Sequence, residues 1–162
     1  MKGERTMPTI EERLKAANIV IPEAPRAPTV HYIPYTVSGN IVFISGQLPF
    51  QNGEIIMTGQ LGRGVSVEDG RDTARVCAIN VLTHLKTACN GDLTRVKKVL
   101  KLEILVASTP EFHEPHVVAN GASLVMLDIF GKEIGSHARV AYGVASLPLN
   151  AAVEVAATFE IS

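Results

Sequence analysis

Apolar and polar positions change period several times along the chain, and each change predicts an element. Residues 8–18 (PTIEERLKAAN) pattern as a short amphipathic helix, with Pro8 in the first turn and Thr9 as a cap matched by Glu12 three residues on. Pro22, Pro25 and Pro28 then predict an extended linker over 19–30. Two strands follow, His31 to Val37 and Asn40 to Leu48, joined at Ser38-Gly39. Residues 49–65 hold Gly53, Gly59, Gly62 and Gly64 and read as a flexible loop. Ser66 with Asp69 opens a long helix to about Asn90, where Ala74, Cys77, Ala78, Val81, Leu82, Leu85 and Ala88 recur on one face. Gly91 closes it. Val96 to Ala107 is a strongly apolar strand. A second helix runs from Glu111 or His113 to Phe130, ended by Gly131, and strands at 138–145 and 152–161 complete the chain.

The order β-β-α-β-α-β-β predicts an α+β fold, with two helices on one face of a mixed β-sheet. The second face of such a sheet must be polar or covered by another chain. On that face the alternation sets Arg139 with Ala141, Gly143 and Ala145, and Glu154 with Ala152, Ala156, Thr158 and Glu160. Val153, Val155, Ala157, Phe159 and Ile161 read as core. A charge inside an apolar strand is costly unless something pairs with it. Arg139 and Glu154 therefore ask for a partner, a ligand or an interface. In a simple hairpin of the last two strands they would be about four residues out of register, roughly 13 Å apart. Either those strands are not neighbours, or the two groups meet between different chains.

Composition narrows the function. The 162 residues carry a formal net charge of −1, no Trp and 5% aromatics. That argues against an electrostatic grip on nucleic acid or on a membrane, and against base-stacking platforms. Cys77 and Cys89 lie in one predicted helix, about 18 Å apart along its axis, too far for a disulfide. The start of the chain lacks the apolar segment of a signal peptide, and no apolar run is long enough to cross a membrane, so the expected compartment is cytoplasmic. His113-Glu114-Pro115-His116 resembles half a metal site, but a helix start explains it and no metal is expected. His137 reads as a strand-end residue facing solvent, and Arg95, Lys97, Lys98 and Lys101 as a solvated strand edge. Asn120 sits in mid-helix, an unfavourable place unless its amide has a partner.

From Tyr32 onward the sequence resembles the RidA/YjgF family of reactive-intermediate deaminases. Four blocks carry the resemblance: Gly39-Asn40 with Phe43-Ile44-Ser45-Gly46-Gln47-Leu48-Pro49; the helix 67–90 with Gly91-Asp92-Leu93; Val118-Ala119-Asn120; and Ala138-Arg139 with Leu147-Pro148 and Val153-Glu154-Val155. The resemblance implies a Bacillus chorismate mutase-like fold and a homotrimer with clefts between subunits. It also implies hydrolysis of enamines and imines such as 2-aminoacrylate to 2-oxo acids and ammonia, without cofactor. Arg139 matches the arginine that takes the substrate carboxylate, and Glu154 the acid that holds the attacking water. Tyr32, Ser45, Gly46 and Asn120 match positions lining the same cleft, with Gly46 letting the backbone approach the ligand. The expected partner is a small carboxylate-bearing metabolite, with neither nucleic acid nor membrane.

Two departures mark a divergent subgroup. The family's usual Cys two residues after the arginine is Ala141, and residues 1–29 add a helix and linker ahead of the domain at 30–162. A trimer that binds a 2-oxo acid without catalysis is the alternative reading, with ribonuclease behind it.

Overall fold

A computed structural model describes residues 6–25 and 31–162. The first five residues, the linker around Pro28 and the expected domain boundary at 29/30 lie outside the described residues. The first helix, α1 (Ile10–Ala16), begins at a capping box in which Glu12 N donates to Thr9 Oγ1 (3.2 Å) and Thr9 N to Glu12 Oε2 (2.9 Å). Ile10, Leu14, Ala17, Ile19 and Ile21 dock this arm on the core. Arg75 secures its end by donating to Ala17 O at 2.7 Å.

Strands β1 (Tyr35–Ser38) and β2 (Ile41–Gln47) form the expected hairpin, with Gly39 at φ 59° in the turn. The first strand is shorter than the pattern predicted, starting only after Pro34, which lacks the N–H a ladder needs. The predicted flexible loop at 49–65 is ordered instead. It forms a small hairpin, β3 (Phe50–Gln51) and β4 (Glu54–Ile55), and a parallel pair, β5 (Gln60–Leu61) and β6 (Gly64–Val65). Asn52 and Gly53 both take positive φ, as a two-residue hairpin turn requires. Leu61 is fully buried, and Asn80 donates to both Leu48 O and Phe50 O. Buried apolar anchors and satisfied carbonyls hold what glycine content alone suggested was free.

Helix α2 (Val67–Ala88) is capped by Ser66 and buries the predicted stripe. Its end differs by one residue from expectation. Asn90 takes the left-handed C′ position and Gly91 the next, with Gly91 N donating to Lys86 O and Asn90 N to Thr87 O. The long strand β7 (Val96–Ala107) follows, then α3 (Pro115–Gly135). Gly131 (φ 72°, ψ 173°) interrupts α3, and one further turn folds back so that Gly135 lies against the Met126 backbone. Strands β8 (Ala138–Val144) and β9 (Val153–Ile161) complete a five-stranded sheet ordered β1-β2-β9-β7-β8. Only β7 and β8 run parallel, which makes the sheet mixed as predicted.

Helices α2 and α3 cover one face. Their closest approach is at Gly121, where an added Cβ would lie 2.0 Å from Arg71 O. That atom is backbone and cannot swing aside, so overpacking forces the helices apart. Gly121→Ala should lower the unfolding free energy by about 1–3 kcal/mol in a denaturant titration. An unchanged midpoint would show that this contact is soft.

Candidate functional site

Strand register decides which groups share a face. Tyr142, Leu105 and Glu154 stand in one cross-strand row, and Arg139, Leu102 and Ala157 in another. Leu102 and Ala157 are buried under the helices, so Arg139 belongs to the helix-covered side. Three residues along and with inverted parity, Glu154 belongs to the open side. The expectation that both charges occupy the second face is therefore corrected. Strand β7 lies between their strands, and their Cα atoms are roughly 14 Å apart. One chain does not bring Arg139 and Glu154 to the same ligand.

Arg139 sits on the edge strand and reaches over α3. Its Nη1 donates to Asn120 Oδ1 (2.8 Å) and Ser123 Oγ (3.1 Å), and its Nη2 to His116 O (3.2 Å). All three acceptors are neutral, and no carboxylate pairs with Arg139 among the described residues. A guanidinium has five N–H donors. Three are engaged, leaving Nε–H and one Nη2–H, the pair suited to a planar carboxylate. Asn120 thus has the partner that its mid-helix position demanded.

The acceptors were legible in hindsight. His116, Asn120 and Ser123 follow i, i+4, i+7 spacing, a polar stripe along the otherwise apolar first half of the helix. His137 also differs from its reading as a solvent-facing residue. It is half-buried, with Nε2 3.0 Å from Ser123 Oγ and Nδ1 2.7 Å from Gly135 O. Burial, ahead of the charges of Arg139 and Lys98, holds its pKa below the usual value. The His113–His116 segment is a helix start, and no metal-ligand cluster occurs among the described residues.

A second group of residues surrounds Glu154. A Cβ on Gly46 would lie 2.1 Å from Glu154 Oε1, so the glycine makes room for that carboxylate. Gly46 lies where β2 bulges between Ile44 and Gln47, which turns the strand toward Glu154. Ser45 Oγ donates to Ile33 O at 2.7 Å and ties down the segment bearing the exposed Tyr32. Glu154 accepts no hydrogen bond and has no ion pair among the described residues, and burial raises its pKa. Partial burial also gives the open face its character. Phe43, Val140 and Tyr142 remain exposed there beside a surface Lys101–Glu103 pair at 3.3 Å.

This arrangement has relatives. The profile of the YjgF/chorismate mutase-like family matches residues 11–161. The chain belongs to that family. It is 46% identical over 153 residues to protein TCP17 of Trypanosoma cruzi, covering 94% of each chain. The crystal structure of Atu1372 from Agrobacterium tumefaciens, a protein of unknown function, matches with a TM-score of 0.87 at 46% identity, over 95% of this chain and 94% of that one. The YjgF gene product of Escherichia coli shares the fold, with a TM-score of 0.59 at 20% identity over 85% and 93%. No helix among the described residues is long and apolar enough to cross a membrane.

Two histidines set a pH dependence. Burial lowers the pKa of both His84 and His137 below the ordinary value of about 6.5. The unfolded chain therefore takes up protons that the fold refuses. Stability contributed by the neutral rings is complete above about pH 6.5 and declines as pH falls toward the lowered folded values. Glu154 acts in the opposite sense at lower pH, because its raised pKa favours the protonated folded form. Denaturation midpoints from pH 7.5 to 5.5 should fall, and the slope should lessen in His137→Phe. A flat profile would contradict the burial of both rings.

Proposed function

We propose that this chain is a hydrolytic deaminase of reactive enamine and imine acids, acting in a cleft shared by two copies of a homotrimer. The observation that carries the reading is a guanidinium with two free donors and no carboxylate partner among the described residues, on an edge strand. A half-buried carboxylate on the opposite sheet face, unpaired among the described residues, complements it. Within one chain these are two half-sites, Arg139 with Asn120 and Glu154 with Tyr32, Ser45 and Gly46. A second copy set against the open face, with its exposed Phe43, Val140 and Tyr142, would bring one half of each together.

The chemistry follows from the groups. The free edge of Arg139 takes the carboxylate of a 2-imino acid in a bidentate grip. Glu154 accepts a proton from water as that water attacks the imine carbon, and then returns it to the departing nitrogen. The hydroxyl proton of the tetrahedral adduct then passes by the same carboxylate to the nitrogen, and the C–N bond breaks to give a 2-oxo acid and ammonia. A carboxylate with a raised pKa is better matched to both proton transfers near neutral pH than an ordinary one. Family membership supports a small-molecule-binding or deaminase-like role. TdcF of Escherichia coli, which shares the fold, is known with bound serine.

Ala141, standing where the family has cysteine, favours a second reading: a metabolite-binding trimer that holds a 2-oxo acid without turnover. An endoribonuclease is also named in the family description. The net charge of −1 and the scarcity of aromatics give RNA little to hold.

Imine decay should be followed after 2-aminoacrylate is generated by a pyridoxal-phosphate dehydratase. The protein should accelerate it, Arg139→Ala should abolish the effect, and Glu154→Gln should lower turnover by about 10²- to 10⁴-fold. Full activity in Arg139→Ala sinks the proposal, and calorimetric binding of 2-oxobutyrate without turnover selects the second reading. Light scattering should give a trimer at micromolar concentration. An active monomer would overturn the shared cleft.

A further inference from the structure

The hydrogen bonds that hold Arg139 continue beyond it, and their direction follows from chemistry. Gly135 O can only accept, so His137 Nδ1 must carry a proton across their 2.7 Å contact. A neutral ring then presents a lone pair at Nε2. Ser123 Oγ, 3.0 Å away, gives its single proton to that lone pair. The oxygen is left as an acceptor for Arg139 Nη1 at 3.1 Å.

We propose that Ser123 and His137 are positioning residues for Arg139. His137, fixed as the Nδ1–H tautomer, turns the Ser123 hydroxyl so that its oxygen grips the guanidinium and its Nε–Nη2 edge faces the ligand. This rests on Arg139 being the carboxylate-binding group.

Three features of the fold support the relay. Without His137, a helical serine would turn its proton back to the carbonyl four residues before it. The relay instead takes that proton and aligns the lone pairs outward. Second, the carbonyl at its base exists only because the chain folds back after Gly131. A Cβ at Gly135 would lie 2.5 Å from Met126 O, so this approach needs glycine. Third, burial favours the uncharged ring, the Gly135 contact opposes it, and Arg139 and Lys98 add to the effect of burial. Lys98 is itself held at the end of α3, donating to Glu133 O at 2.6 Å. Were His137 protonated, Nε2 would become a donor, and two cations would compete for one hydroxyl oxygen.

Restricted in this way, both Nη1 hydrogens are engaged and the guanidinium cannot rotate about its long axis. A planar carboxylate approaching the free edge finds two parallel donors already set, which lowers the ordering cost of binding.

The test has two independent readouts. Long-range ¹H–¹⁵N spectra at neutral pH should show His137 as the Nδ1–H tautomer, and the Arg139 Nη hydrogens should exchange more slowly in the wild type than in Ser123→Ala. Calorimetry with 2-oxobutyrate should show binding weakened by about 3- to 10-fold in Ser123→Ala and in His137→Phe. Ser123→Thr, which keeps the hydroxyl, should restore it, and Arg139→Ala should abolish it. An Nε2–H tautomer overturns the relay. So does wild-type affinity in both Ser123→Ala and His137→Phe while Arg139→Ala has lost binding. If Arg139→Ala binds 2-oxobutyrate like the wild type, or the wild type does not bind it, the carboxylate reading falls instead. The tautomer and the exchange rates then still decide the relay.

Discussion

Strand β7 is the constraint on which the rest of the structure depends. Its twelve residues pair with β8 on one side and β9 on the other. Because β8 is parallel to β7, it must be reached by a crossover, and α3 supplies it. Because β9 is antiparallel, it can sit on the other side and lead on to β2. This one placement puts the arginine on an outer edge under a helix and the glutamate inside the sheet on the open face. The register then inverts their parity. Two charges fifteen positions apart in sequence become the halves of two different surfaces.

Each half is stabilised by what surrounds it rather than by its opposite. Among the described residues the guanidinium meets only neutral acceptors, a backbone carbonyl, an amide and a hydroxyl, which spare it the cost of an unsatisfied buried charge without cancelling its field. The carboxylate lies against a glycine and gains no donor, so burial works on it unopposed. Both are left in the state a ligand would relieve. The open sheet face beside the carboxylate keeps Phe43, Val140 and Tyr142 exposed.

Glycines do much of this placement. Gly121 lets α2 and α3 touch, Gly46 opens space for Glu154, and Gly131 with Gly135 folds the end of α3 back on itself. At Gly131 the positive φ requires glycine. At Gly121 and Gly135 a backbone oxygen excludes a side chain, and at Gly46 a side chain would displace the Glu154 carboxylate. The arm α1 extends the same helical layer, with Arg13 lying over Gly131.

The helices, the succession of elements along the chain and the mixed sheet were legible because each element has a run of one period, and α2 shows this best with its stripe from Ala74 to Leu85. The 49–65 segment was not, because its order comes from Leu61 and from Asn80 on a distant helix, contacts that no local pattern contains. Arg139 and Glu154 stood out for the same reason as the core did: charge inside apolar alternation is conspicuous in one dimension. Their partners did not, since Ser123 and the His116 carbonyl meet the arginine, and the Gly135 carbonyl meets His137, only through the crossover and the fold-back. Sequence alone determined which residues are apolar enough to be buried and which charges need company. Tertiary structure decided the company, because sheet register and strand order are set by packing between segments far apart along the chain.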